Sequence, residues 1–347
     1  MSPLFHKKSD AEKGAERAAA QAQREGAERS AARAAASLEL IEQGRIPVAA
    51  AERLARFAGA AAGTQRAAGG TAADAGGRAG AATVFSSDLA VSEWSALARL
   101  GIEPITQVMG SSIYNIGWQP VAYSAPTEVR VLSDAHNECR RLALNRLLEE
   151  ARLCGADAVV GVRIGDGGHD WAPGSVEFIA LGTAVRLPLV LRDPQGGTVL
   201  SDLTGQEFVQ LCEAGLRPVG IAAHTSVHYV PATTQTMMAQ GGVGRLVGGI
   251  GATAWANQEL TDFTQGVYEA REKAMASVSD QAQRLGGSGL IGVKVREFGR
   301  TRAVNRGMFE SHDLQISFQL IGTVIREDPA LGAGSPADAP SQILRLK

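Results

Sequence analysis

Aromatic side chains make up only 5% of this 347-residue chain, so any core must be filled by small and β-branched aliphatics. Cysteine is almost as scarce. Three cysteines without paired spacing exclude a disulfide framework and fit a reducing compartment. No run of 18 uncharged apolar residues occurs, which excludes an ordinary transmembrane helix. The opening MSPLFHKKSD runs into charge without the apolar core of a secretion signal. Neither sign of charge is in excess, since 34 Lys and Arg oppose 36 Asp and Glu for a net of −2. That balance leaves no dense basic surface for bulk nucleic-acid binding. The C-x-x-C, H-E-x-x-H, G-x-S-x-G and G-x-x-x-x-G-K-[ST] motifs are all missing, so neither a structural zinc site, a nucleophile nor a phosphate loop is legible. The sequence predicts a cytoplasmic protein of two or three domains and offers no catalytic constellation from which to argue an enzyme.

What is present is unevenly distributed. Residues 1–80 carry 12 basic and 9 acidic side chains and 26 alanines, a composition suited to helices but poor in core residues. The pattern predicts a long helix from Asp10 to about Gln43, a turn at Gly44, and a second helix from Pro47 to about Ala62. Leu38, Leu40, Ile41, Ile46, Val48, Leu54 and Phe57 gather at the tip of this hairpin, which spans 1–62. Docking to a protein partner or to another copy is one expectation for it, and a solvated helix is the other. Residues 63–82 read as a Gly/Ala/Thr linker and 328–347 as a disordered tail.

The folded mass, 83–190 and 198–327, is written twice. Ser87-Asp88-Leu89, Trp94, Leu97, Gly101 and Pro104 recur at an offset of 114 as Ser201-Asp202-Leu203, Phe208, Leu211, Gly215 and Pro218. GADAVVGV (155–162) recurs as GGSGLIGV (286–293), and FIALGTAVR (178–186) as FQLIGTVIR (318–326). Each copy reads as a short helix capped at S-D-L, short β segments (PITQVMGSSIY; PVGIAAHTSVHYV), a long amphipathic helix ending at Gly155 or Gly286, and two buried strands. The predicted class is α+β, with two tandem β-β-α-β-β domains behind an α-helical hairpin.

The helix–GADAVVGV–strand–FIALGTAV pattern resembles the YbjQ-like small proteins, also labelled heavy-metal-binding domain proteins. The resemblance covers about 105–187 and, more loosely, 219–326. It implies a dodecin-like α+β subunit that assembles into rings, typically pentamers, with sheets joined between subunits, and it implies no settled activity. Two fused copies would supply either neighbouring ring positions or stacked rings. Pairing of bare sheet edges between copies gives such a ring its physical motive.

The candidate site residues follow. His224 and His228 are spaced i, i+4, but Thr225, Val227, Tyr229 and Val230 mark a strand, where two imidazoles roughly 13 Å apart cannot share one ion. His136 and Cys139 are i, i+3 on the first long helix, half of a site for a divalent metal. Cys154 and Cys212 read as small buried apolars. Asp157, replaced by Ser288 in the second copy, reads as a turn residue. Gly155, Gly161, Gly182, Gly286, Gly292 and Gly322 are the structural positions of the repeat. The Gly-rich insert 241–259, with Trp255, reads as a segment that makes contacts for assembly, a pore or a membrane. Three functions remain in play: an oligomeric ring or scaffold, a metal- or small-ligand-binding ring, and a membrane-associated adaptor.

Overall fold

The computed structural model describes residues 10–55, 57, 85–120, 122–169, 172–240, 257–306 and 310–332. The linker 63–82, most of the Gly-rich insert and Trp255 fall outside them.

Helix α1 (Asp10–Glu42) is followed by α2 over 48–55, with Pro47 just before it and the Val48 amide donating to Ser37 Oγ at 3.3 Å. Ile46 and Leu54 are buried in the core of the chain's own first sheet, with Phe57 packed against them. The polar contacts agree. Arg146 donates to the carbonyls of Ile41 and Arg45, Arg45 pairs with Glu149 at 2.8 Å, and Arg53 reaches Glu150. The hairpin tip therefore seats on its own chain, while Leu38 and Ile41 remain exposed.

The elements that follow are α3 (Val91–Arg99), β1 (Glu103–Asn115), β2 (Thr127–Glu128), α4 (Arg130–Leu153), β3 (Ala158–His169) and β4 (Ala172–Arg186). Then come β5 (Val199–Leu200), α5 (Gly205–Glu213), β6 (Leu216–Val230), α6 (Thr234–Ala239), α7 (Thr261–Arg284), β7 (Gly289–Asn305), β8 (Glu310–Glu327) and α8 (Pro329–Gly332). They form an α+β architecture with two four-stranded sheets, ordered β1-β4-β3-β5 and β2-β6-β8-β7. The long strands are antiparallel, and β5 alone joins its neighbour in parallel. Val108 lies opposite Gly182 and Ala222 opposite Gly322, so strand register carries the same offsets, 114 and 140, that the sequence repeats show.

Each sheet is covered by one 24-residue helix. Cys139, Ala143, Leu147 and Ala151 recur every four residues along α4 and are fully buried, as Ala270, Ala274, Val278 and Ala282 nearly are along α7. These small side chains bring helix and sheet close: a Cβ on Gly110 would lie 2.0 Å from the Ala143 carbonyl oxygen. No helix among the described residues is long and apolar enough to cross a membrane.

Three expectations need correction. The segments PITQVMGSSIY and PVGIAAHTSVHYV each lie in one continuous strand, because both alternate between a face on the helix and a face away from it. The fourth strand of each sheet is exchanged: β2 precedes α4 of the first sheet yet pairs with β6, and β5, which leads into the second sheet, pairs with β3. Finally, 328–332 belongs to the fold, since Asp328 pairs with the buried Arg217 at 2.6 Å and α8 follows at once.

Candidate functional site

The junction between the two sheets concentrates the unusual chemistry. Helix α4 lies between its own sheet and β6 of the other. Val129 N donates to Val227 O at 2.7 Å and Val227 N to Ser133 Oγ at 2.9 Å. Asn137 grips the Thr225 backbone at both N and O, and Arg140 donates to Thr225 Oγ1 at 2.6 Å. On the other side, Gly161 N and Val162 N donate to the carbonyls of Leu203 and Ser201 at 2.8 and 2.9 Å. Gly161 makes this possible with φ +65° at a bulge in β3, and Gly292 repeats it at φ +63° in β7.

Both S-D-L segments meet a Gly-Thr strand. Thr183 Oγ1 donates to Asp88 at 3.0 Å, and Thr323 Oγ1 to Asp202 at 2.5 Å. Arg163 pairs with Asp88, and Lys294 with Asp202 at 3.1 Å. The aspartates were expected to cap the short helices. Instead Thr204 caps α5, with Glu207 closing a capping box, and Ala90 precedes α3 with Glu93 bonded back to its amide. Asp88 and Asp202 are thereby released for the sheet. Sequence self-comparison had found S-D-L and G-T as separate signals, and nothing local links residues 95 or 121 positions apart.

The other candidates are scattered. His224 and His228 lie four apart on β6, with both Nε2 atoms buried and, among the described residues, without a hydrogen-bond partner. Burial, then the nearby Arg140 charge, pushes His224 down to about 4, and burial lowers His228. His136 bonds the Leu132 carbonyl through Nδ1, whereas Cys139 Sγ faces the carbonyls of Ser112 and Val176, so the two do not converge. Burial pushes Cys154 and Cys212 up to about 11. Asp157 accepts from Leu187 N at 2.9 Å as a loop tie. Gly155 and Gly286 follow the ends of α4 and α7, and a Cβ on Gly182 would stand 2.7 Å from Val159. Among the described residues no three His, Cys, Asp or Glu side chains come together as a metal-binding group.

The most informative residues are pairs that occupy the same place in the two sheets. Val227 is 1% exposed at the junction, while Ile113, in its position on β1, is 54% exposed. Val162 is 1% exposed and Val293 is 42% exposed. Arg140 is buried against Thr225, and Arg271 on α7 is half-exposed. The junction thus covers one copy of each surface and leaves the other copy bare at the ends of the chain.

Comparison with known proteins places one segment of the chain in a family. Residues 100–188 match the YbjQ family, described as "Putative heavy-metal-binding". A UPF0145 protein of Methanococcus vannielii is 42% identical over 76 residues, covering 21% of this chain and 70% of the relative. Another, from Clostridium novyi, is 36% identical over 91 residues, 25% of this chain and 86% of the relative. A protein of Mycobacterium tuberculosis named "Encapsulin nanocompartment protein Rv1762c" is 36% identical over 212 residues, 60% of this chain and 76% of the relative.

Proposed function

This chain belongs to the YbjQ (UPF0145) family, and from that premise we propose that it is a non-enzymatic assembly protein, two fused YbjQ-like units that join end to end with further copies and work with a protein nanocompartment. One observation carries the reading: the surfaces buried between the two sheets are repeated, uncovered, at the chain's ends. Met109 and Ile113 on β1 are exposed where Ala223 and Val227 lie against α4. Tyr268, Arg271 and Met275 on α7 are exposed in the places that Asn137, Arg140 and Leu144 hold on α4. The face left bare on α7 matches the one left bare on β1, which is the condition for a heterologous, self-propagating contact. Because the internal junction sets the sheets beside one another, it favours neighbouring ring positions over stacked rings. The name of the mycobacterial relative supports the nanocompartment setting, and the exposed length of α1 supports docking to a shell protein.

Light scattering on the purified chain tests the assembly. A defined multimer of the 36.2 kDa chain is expected, and Ile113→Asp or Val293→Asp, at opposite ends, each returns it to the single-chain mass with unchanged circular dichroism. A wild-type chain running at 36.2 kDa refutes the proposal.

A further inference from the structure

Between the sheets lies a cavity of about 270 Å³ walled by Arg140, Arg163, Asp166, Phe178, Lys294 and Arg296. Four of these six are cations, against one acid. Asp166 is engaged through both oxygens, by Arg296 at 2.5 Å and by Gln319 at 3.2 Å. Arg163 and Lys294 are met by Asp88 and Asp202, which do not line the cavity.

Arg140 differs from the rest. It is 5% exposed and donates to Thr225 Oγ1 and Asn137 Oδ1, with its guanidinium 5.5 Å from the centre of the Phe178 ring. Among the described residues it has no carboxylate partner. Burial lowers the guanidinium's pKa to about 10 and the charge of Asp166 across the cavity offsets only part of that, while its two neutral acceptors leave N–H groups available for an anion. A second cavity of about 830 Å³ shares Asp166 and Gln319 with the first and adds Arg300 and Arg302 to its lining. Cationic side chains therefore continue from the first cavity into the second. His136, which lines the larger cavity, is lowered by burial and by the charges of Arg140 and Arg300.

We infer that this cleft binds a small phosphorylated anion, its phosphoryl group between Arg140 on one wall and Lys294 and Arg296 on the other. Planar guanidiniums on facing walls suit a multiply charged tetrahedral group, and the larger cavity leaves room for what that group is attached to. Every residue involved comes from one chain, so the inference does not depend on assembly.

Isothermal titration of the full chain at constant ionic strength tests it, with inorganic pyrophosphate, adenosine monophosphate, citrate and potassium chloride as probes. One site per chain for pyrophosphate or the monoester is expected, and the tighter of the two tells a free polyphosphate from an organic phosphate. Arg296→Met, whose side chain is more than half exposed and whose partner Asp166 is a third exposed, spares the fold and loosens binding tenfold or more. Arg284→Met, on the exposed side of α7, leaves binding unchanged. Citrate binding as tightly as phosphate, a chloride titration giving the same heat, or equal loosening by Arg284→Met each overturns the inference.

Discussion

The matching Thr–Asp pairs of the two sheets provide an internal control, because the same substitution can be made twice in different surroundings. Thr323 is fully buried; it donates to Asp202 Oδ1 at 2.5 Å and accepts from Asp202 N at 3.0 Å. The Asp202 side chain is 1% exposed. Thr323→Val keeps the shape and removes a hydrogen bond to a buried carboxylate, a loss of about 1.5–3 kcal/mol, and it strands the Asp202 amide at about 1–3 kcal/mol more. A total of about 4 kcal/mol is expected. Thr183 is equally buried, but it makes a single 3.0 Å bond to Asp88, whose side chain is 22% exposed. Water replaces what that carboxylate loses, so Thr183→Val should cost about 1–2 kcal/mol. Both variants are to be unfolded in urea in the Ile113→Asp background, which removes any contribution from association. Equal midpoint shifts, or a larger one for Thr183→Val, would refute the view that Asp202 clamps the 201–203 segment between the sheets.

Further outcomes follow from the same geometry. Gly161→Ala and Gly292→Ala each force a left-handed φ on a residue with a Cβ, at about 1–2 kcal/mol, read as a lowered melting temperature of the chain. Leu54→Ala empties a fully buried site at a cost of about 2–5 kcal/mol and frees the hairpin, seen as rapid proteolysis of α1 and α2 while the strands of the two sheets resist. His224 is held at about 4 in the folded chain against 6.5 unfolded, so the unfolded chain takes up the proton first as pH falls. Stability therefore declines between pH 6.5 and pH 4, by at most about 3 kcal/mol at this residue and by less to the extent that solvent screens the partly exposed ring, and is insensitive to it above that window. His224→Gln should flatten the urea midpoint over that window, and an unaltered slope counts against the burial of the imidazole.

The parts of the fold that were legible are those with local signals. The Asp10 helix, the two long helices ending before Gly155 and Gly286, and the strand around His224 and His228 could each be read from their own few residues. The exchange of strands could not, because β2 and β5 are two residues long and carry no periodicity. S-D-L and G-T were visible as repeated words, but their meeting is a tertiary fact. The cationic cleft was hidden for a similar reason: Arg140 sits among alternating polar residues on α4, and only the packing of β6 against that helix makes it interior.

The side-by-side junction carries a parity rule. If chains join by the same step that relates the two sheets within each chain, sheets enter the assembly two at a time. A closed ring then holds an even number of them, and a five-sheet ring is barred to such an assembly. Closure at four, six or more sheets sets the turn per step at 90°, 60° or less by division of the circle. A junction fixed at any other angle winds the chains into an open helix instead. In such an assembly the geometry of the junction, set by the covalent segment after β4 and the exchanged strands β2 and β5, decides between a ring and a filament.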